Sequence, residues 1–107
     1  MNLKIEITSK FKRKARVLLK KFPSFKQELE ALITAVEADP TQGTSIKHNC
    51  YKIRLSIKSK GKGKSGGARV ITHLHVTNST VYLLYIYDKS EQENISEKEL
   101  LELIKDL

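Results

Sequence analysis

The apolar positions of this chain switch between two periods, and the switches mark out its elements. Leu3, Ile5 and Ile7 fall on one side of an extended chain and Lys4, Glu6 and Thr8 on the other, which predicts a short half-buried strand. From Ser9 the spacing lengthens: Phe11, Ala15, Leu18, Leu19 and Phe22 make the stripe of an amphipathic helix, with Lys10, Arg13, Lys14, Lys20 and Lys21 over the rest of its surface. Pro23 ends it. Ser24 with Gln27 has the spacing of a capping box, and Phe25, Leu29, Leu32, Ile33 and Val36 then repeat the helical stripe. Two helices in an antiparallel hairpin follow, closed by Asp39-Pro40 and a loop over 41–49.

The second half is read in the same way. Tyr51, Ile53, Leu55 and Ile57 alternate with Lys52, Arg54, Ser56 and Lys58, so one face of that strand packs and the other is basic. Ser59 to Gly67 is a Lys/Gly loop, expected to be mobile without a ligand. Over 68–76, Val70, Thr72, Leu74 and Val76 face one way, and Arg69, Ile71, His73 and His75 the other. Thr77-Asn78-Ser79 makes a hairpin turn, and Thr80 to Tyr87 is apolar on both faces, as in a central strand. Ser96 with Glu99 offers a further capping box, ahead of a helix carrying Leu100, Leu103, Ile104 and Leu107. The order β-α-α-β-β-β-α predicts one α+β domain over residues 1–107, with helices packed on one face of a mainly antiparallel sheet.

Charge changes this picture from a fold to a candidate function. The net charge is +8, and residues 40–87 hold eight Lys or Arg with no Asp or Glu. Such clustering is the footprint of a phosphate-bearing partner, because an ordinary solvated face mixes signs. The start has no apolar leader and the longest apolar run, Val81 to Tyr87, is too short to span a bilayer, so a soluble, cytoplasmic protein with no membrane partner is expected. Cys50 is the only cysteine, which excludes an internal disulfide and a cysteine-based metal site; it reads as a small residue at a strand start.

The basic positions converge. If the second and third strands pair as a hairpin, Lys52, Arg54 and Arg69 share one open sheet face. The Lys/Gly loop is not a nucleotide-binding loop: a glycine is needed five residues before Gly63, and Lys58 stands there. It reads instead as a docking loop for structured RNA. His48, His73 and His75 lack further ligands at metal-site spacing, so no metal is expected, and His73 is kept as a proton carrier. The four tyrosines read as core and rim, although Tyr85 and Tyr87 lie on one side of their strand and could hold a base. The Lys-rich first helix reads as a solvated face, with RNA-backbone contact as the sharper alternative.

At YKIRL, GKGKSGGARVIT and YLLYIYDKSEQENIS the sequence resembles the RelE superfamily of toxins from type II toxin–antitoxin systems, and most of all its HigB-type branch. The resemblance covers nearly the whole chain and implies an endoribonuclease that cuts mRNA in the ribosomal A site, by attack of the ribose 2′-OH on the adjacent phosphate. It implies no metal or other cofactor, translation inhibition as the outcome, and a cognate antitoxin, itself DNA-binding, as partner beside ribosome and mRNA. Lys52 and Arg54 would contact the scissile phosphate or assist deprotonation, Arg69 would stabilise the pentavalent transition state, and Lys89 the leaving 5′-oxygen. Lys58, Lys60, Lys62 and Lys64 would hold ribosomal RNA as point charges. Many RelE relatives place a Tyr or His near the last helix for acid/base work, whereas SEQENISEKEL has neither; His73, Glu91, Glu93 or a lysine of depressed pKa remain as candidates. Two alternatives differ in class: a ParE-like, non-enzymatic inhibitor of DNA gyrase, and an RNA-binding module without catalysis.

Overall fold

The structure, a computed structural model, describes residues 3–61 and 63–107. Strand β1 (Lys4–Ile7) leads into α1 (Ser9–Lys21) and α2 (Phe25–Ala38); a two-residue strand β2 (Thr44–Ser45) precedes β3 (Cys50–Leu55). A 3-10 turn (Lys58–Lys60) and a one-turn helix α3 (Gly63–Gly66) lie between β3 and β4 (Ala68–His75); β5 (Thr80–Asp88) and α4 (Glu97–Lys105) complete the chain. Among the described residues the strands form one sheet in the order β1-β5-β4-β3-β2, antiparallel except for the β1–β5 pair. The expected α+β class and mainly antiparallel sheet are what the chain adopts; β2, α3 and the 3-10 turn are additions too short to leave a period in the sequence.

Local chemistry sets the helix ends. Thr8 caps α1, its hydroxyl accepting from the Phe11 amide at 3.2 Å. At α4 the expected capping box forms in full: the Ser96 hydroxyl accepts from the Glu99 amide and the Glu99 carboxylate from the Ser96 amide. The one expected at Ser24 does not form. Ser24 sits in the right-handed helical region, and its hydroxyl meets Glu28 Oε1 at 3.1 Å and accepts from the Ser59 amide at 2.9 Å. A side chain that bonds a loop 35 residues away is lost to its own helix end.

The core has two parts, one on each side of the sheet. Phe11, Ala15 and Leu18 of α1 and Phe25, Leu32 and Val36 of α2 pack on Ile53, Val70, Val81, Leu83 and Ile86. On the opposite face Leu100 of α4 packs with Cys50, Ile71, Leu84, Tyr85 and Tyr87, and Ile95, Leu103 and Ile104 extend the contact. The two-helix layer thus covers one face as expected, while the last helix crosses to the other and closes part of a face that the alternation left open. A bulge makes this possible. Ile71 pairs with Tyr85 but Thr72 with Leu83, so Leu84 has no partner on β4, and both Leu84 and Tyr85 turn toward α4.

Candidate functional site

The register of β3 on β4 brings the site together. Arg54 stands directly opposite Arg69, and Lys52 opposite Ile71, so all three basic side chains lie on the α4 face as the alternation predicts. Arg69 is in turn opposite Tyr87 on β5. Arg54 is exposed and Lys52 half-buried, whereas Arg69 is only 5% exposed and one of its guanidinium nitrogens donates to its neighbour's carbonyl, Ala68 O, at 3.0 Å. Like charges directly opposite on paired strands cost stability, and an anion placed between them offsets that cost. Lys89 follows β5 immediately; its amide donates to Gly67 O at 3.0 Å and its Nζ to Glu93 O at 3.0 Å. Backbone pairing therefore joins the end of β5, with Lys89, to the start of β4, with Arg69.

The acid-free stretch of sequence is not acid-free in space. Glu97 at the start of α4 takes Lys47 Nζ at 3.4 Å and His48 Nε2 at 3.1 Å. Those hydrogen bonds, His48's first and then Lys47's, hold the Glu97 carboxyl below the usual carboxylate range. Lys52 Nζ reaches Asn94 Oδ1 at 3.5 Å. These contacts lay the segment before α4, and its first turn, along β3 and its preceding turn, so the open part of the basic face narrows to the end that carries Arg54, Arg69 and Lys89.

The loop lysines divide. Lys58 is exposed; its backbone amide donates to Glu28 Oε2 at 2.7 Å and its carbonyl accepts from the Gly61 amide at 3.1 Å. Lys64 lies on α3, and Lys62 falls outside the described residues. Lys60 departs from the expectation of an RNA-facing point charge: its side chain is 9% exposed, and its ammonium donates to Gly66 O, Asp88 Oδ1 and Ser90 Oγ. Burial alone would raise the Asp88 carboxyl's pKa, but the bonds from Lys60 and Ser90 outweigh it and hold the group below its ordinary value. A carboxyl depressed on folding adds stability that is complete above its unfolded pKa, and this is lost as pH falls through the folded value. The thermal midpoint is therefore expected to drop as pH is lowered from about 5 toward 2, and Asp88→Asn should flatten that slope; a slope unchanged in the variant would show that other carboxylates set it.

The three acid/base candidates are scattered. His73 is four residues along β4 from Arg69, about 13 Å at strand rise. It is buried against Cys50, Nδ1 to Sγ 3.5 Å, and burial lowers its pKa. Glu91 is exposed and paired with Lys21 of α1 at 2.9 Å. Only Glu93 lies beside a site cation, through the carbonyl that binds Lys89. Cys50 is fully buried, its thiol pushed up to about 12 by desolvation, and is no nucleophile at neutral pH.

Sequence reasoning missed the state of Tyr87. Its hydroxyl is buried with no hydrogen-bond partner among the described residues, beside Arg69 and with its ring 6.0 Å from that of Tyr85. Nothing in a run apolar on both faces signals such an orphan. An unmade buried hydrogen bond costs about 1–3 kcal/mol, so Tyr87→Phe is expected to leave stability unchanged or raise it by about 1 kcal/mol in urea titration. A clear loss would reveal a partner for the hydroxyl. The Tyr85 hydroxyl, by contrast, donates to Gln92 Oε1 at 3.1 Å, and Lys10 and Lys14 of α1 lie 5.8 and 5.6 Å from its ring centre. Both rings are thus enclosed, as core and rim.

Two solved structures share this architecture. A double arginine-to-alanine mutant of the E. coli toxin RelE in the free state matches with a TM-score of 0.62 at 15% identity, over 100% of this chain and 99% of the other. The isolated E. coli RelE toxin matches with a TM-score of 0.56 at 16% identity, over 98% and 99%. No helix among the described residues is long and apolar enough to cross a membrane. The sequence model of the RelE toxin of the RelE/RelB toxin–antitoxin system matches residues 4–106, and the chain accordingly belongs to the RelE family of toxin–antitoxin toxins.

Proposed function

We propose that the protein is a ribosome-dependent endoribonuclease of the HigB-type branch, cutting mRNA in the A site and held inactive by a cognate antitoxin. The observation that carries this reading is the juxtaposition of Arg54 and Arg69 at one end of the sheet, with Lys89 tied to the same end through Gly67. In-line attack of a 2′-OH on the adjacent phosphate needs cations where charge accumulates on the phosphoryl oxygens and a route for two protons. Arg69, buried and fixed, suits the pentavalent transition state because it need not reorganise as charge develops. Exposed Arg54 suits the incoming phosphate, with half-buried Lys52, reaching Asn94, at the margin of the open face, and Lys89 suits the leaving 5′-oxygen. Glu93, whose backbone carbonyl accepts from Lys89 Nζ, is the candidate proton acceptor nearest in the chain to that contact, since Glu91 is paired with Lys21 and His73 lies along β4 away from Arg69.

Recognition of the ribosome falls to cations away from the cut. Lys58 and the row on α1, with Lys12, Arg13 and Arg16 all exposed, offer point charges to RNA backbone. The antitoxin would counter the same charge with acidic surface.

The test is primer extension on a defined mRNA in a purified translation system, with and without ribosomes. Cuts that require ribosomes are expected. Inhibited translation without any cut would sink the endonuclease and leave the gyrase-directed or purely RNA-binding readings.

A further inference from the structure

We propose that Lys60 is a positioning residue, an internal strut that fixes the spacing of Arg69 and Lys89, and not an RNA contact; the proposal rests on the endoribonuclease reading. Three observations carry it. An ammonium group has three donors, and here Gly66 O at 2.7 Å, Ser90 Oγ at 2.6 Å and Asp88 Oδ1 take them, leaving none for a phosphate. The side chains of Lys60 and Asp88 are 9% and 5% exposed, and the Lys60 Nζ lies 5.9 Å from the Phe22 ring centre, so the charge is largely enclosed by protein. The acceptors come from two separate segments: Gly66 immediately precedes the turn into β4, while Asp88 and Ser90 flank Lys89.

The strut therefore joins the base of β4, three residues before Arg69, to both sides of Lys89, at the point where the Lys89 amide bonds Gly67 O. The Ser90 amide adds a further bond to Asp88 Oδ1 at 2.9 Å. A buried ion pair is a weak way to gain stability, since a hydrophobic pair of similar volume does as well. What it supplies is a fixed geometry, and here the fixed segments are those that carry two of the cations assigned to the reacting phosphate. A charge that looks like one more basic residue of a docking loop is the piece that sets the reach of the others.

The test compares Lys60→Met, Asp88→Asn and the double variant in steady-state cleavage on programmed ribosomes, in ribosome binding across salt concentrations, and in amide hydrogen exchange. Lys60→Met is expected to lower kcat about 10- to 100-fold with KM unchanged, as for a misplaced catalytic group. The salt slope of binding should stay as in wild type, and the Lys89 and Ser90 amides should exchange faster. Asp88→Asn should lose a similar factor and the double variant little more, because both break one unit. A raised KM with a salt slope smaller by about 1 would overturn the proposal and make Lys60 an RNA contact. Unchanged kcat would overturn it equally. Should Lys60→Met fail to fold, Ser90→Ala deletes one acceptor only and is expected to show the same pattern at smaller size. A wild type that never cuts mRNA would remove the endoribonuclease reading, while faster Lys89 exchange in Lys60→Met would still establish the strut.

Discussion

Arg69→Ala is expected to lower ribosome-dependent cleavage by about two to three orders of magnitude while ribosome binding changes less than tenfold. The size follows from the role proposed for Arg69, a preorganised donor to a developing oxyanion, for which losses of about 10²–10³ in kcat are typical. Arg69 is 5% exposed and braced by the Ala68 carbonyl, so its guanidinium is already in place when charge builds up. Arg54, opposite but exposed, is solvated in the free protein and should cost less when truncated. Arg69→Lys should recover only part of the loss, because a point charge cannot reproduce the planar fork. Primer extension gives the rate and co-sedimentation the binding; a urea titration confirms that the variant is folded despite the space it leaves. Cleavage and binding lost in equal proportion would make Arg69 a substrate-binding contact and not a transition-state donor.

What the sequence made legible was whatever depends on parity and local spacing. The alternation in YKIRLSIK put Lys52 and Arg54 on one face, and a hairpin with ARVITHLHV would add Arg69 to it; the register then set Arg54 against Arg69. The Ser96–Glu99 cap was legible because both partners lie within one turn. Contacts between distant segments were not. Thr80 to Tyr87 is apolar on both faces, so no parity reveals the bulge at Leu84 or that α4 covers the face opposite α1 and α2. Ser24 reads as a cap until Ser59 takes its hydroxyl, and Lys60 reads as one loop cation among several until Asp88, 28 residues on, takes its ammonium. Absence of acids from a segment describes the chain alone; Glu97 and Asp88 return to the segment's charges through the fold.

Gly67→Ala is expected to be strongly destabilising, costing about 3 kcal/mol or more. A Cβ at Gly67 would lie 2.1 Å from Leu55 O and 3.1 Å from Ser56 Cα, both on the backbone leaving β3. No rotamer change relieves such a clash, since neither atom belongs to a flexible side chain; the β3–β4 hairpin must open at its base. That base is where Arg54 and Arg69 face each other and where Gly67 O receives the Lys89 amide, so the same displacement separates the site's cations. A domain of this size shifts its Tm by about 4–8 °C per kcal/mol, which puts the expected drop above about 10 °C. Cleavage measured well below the new Tm should still be depressed, because the native state itself is distorted. An unchanged Tm would mean that the loop and β3 separate at little cost, and the rigid frame assigned here to Arg69 and Lys89 would then be wrong.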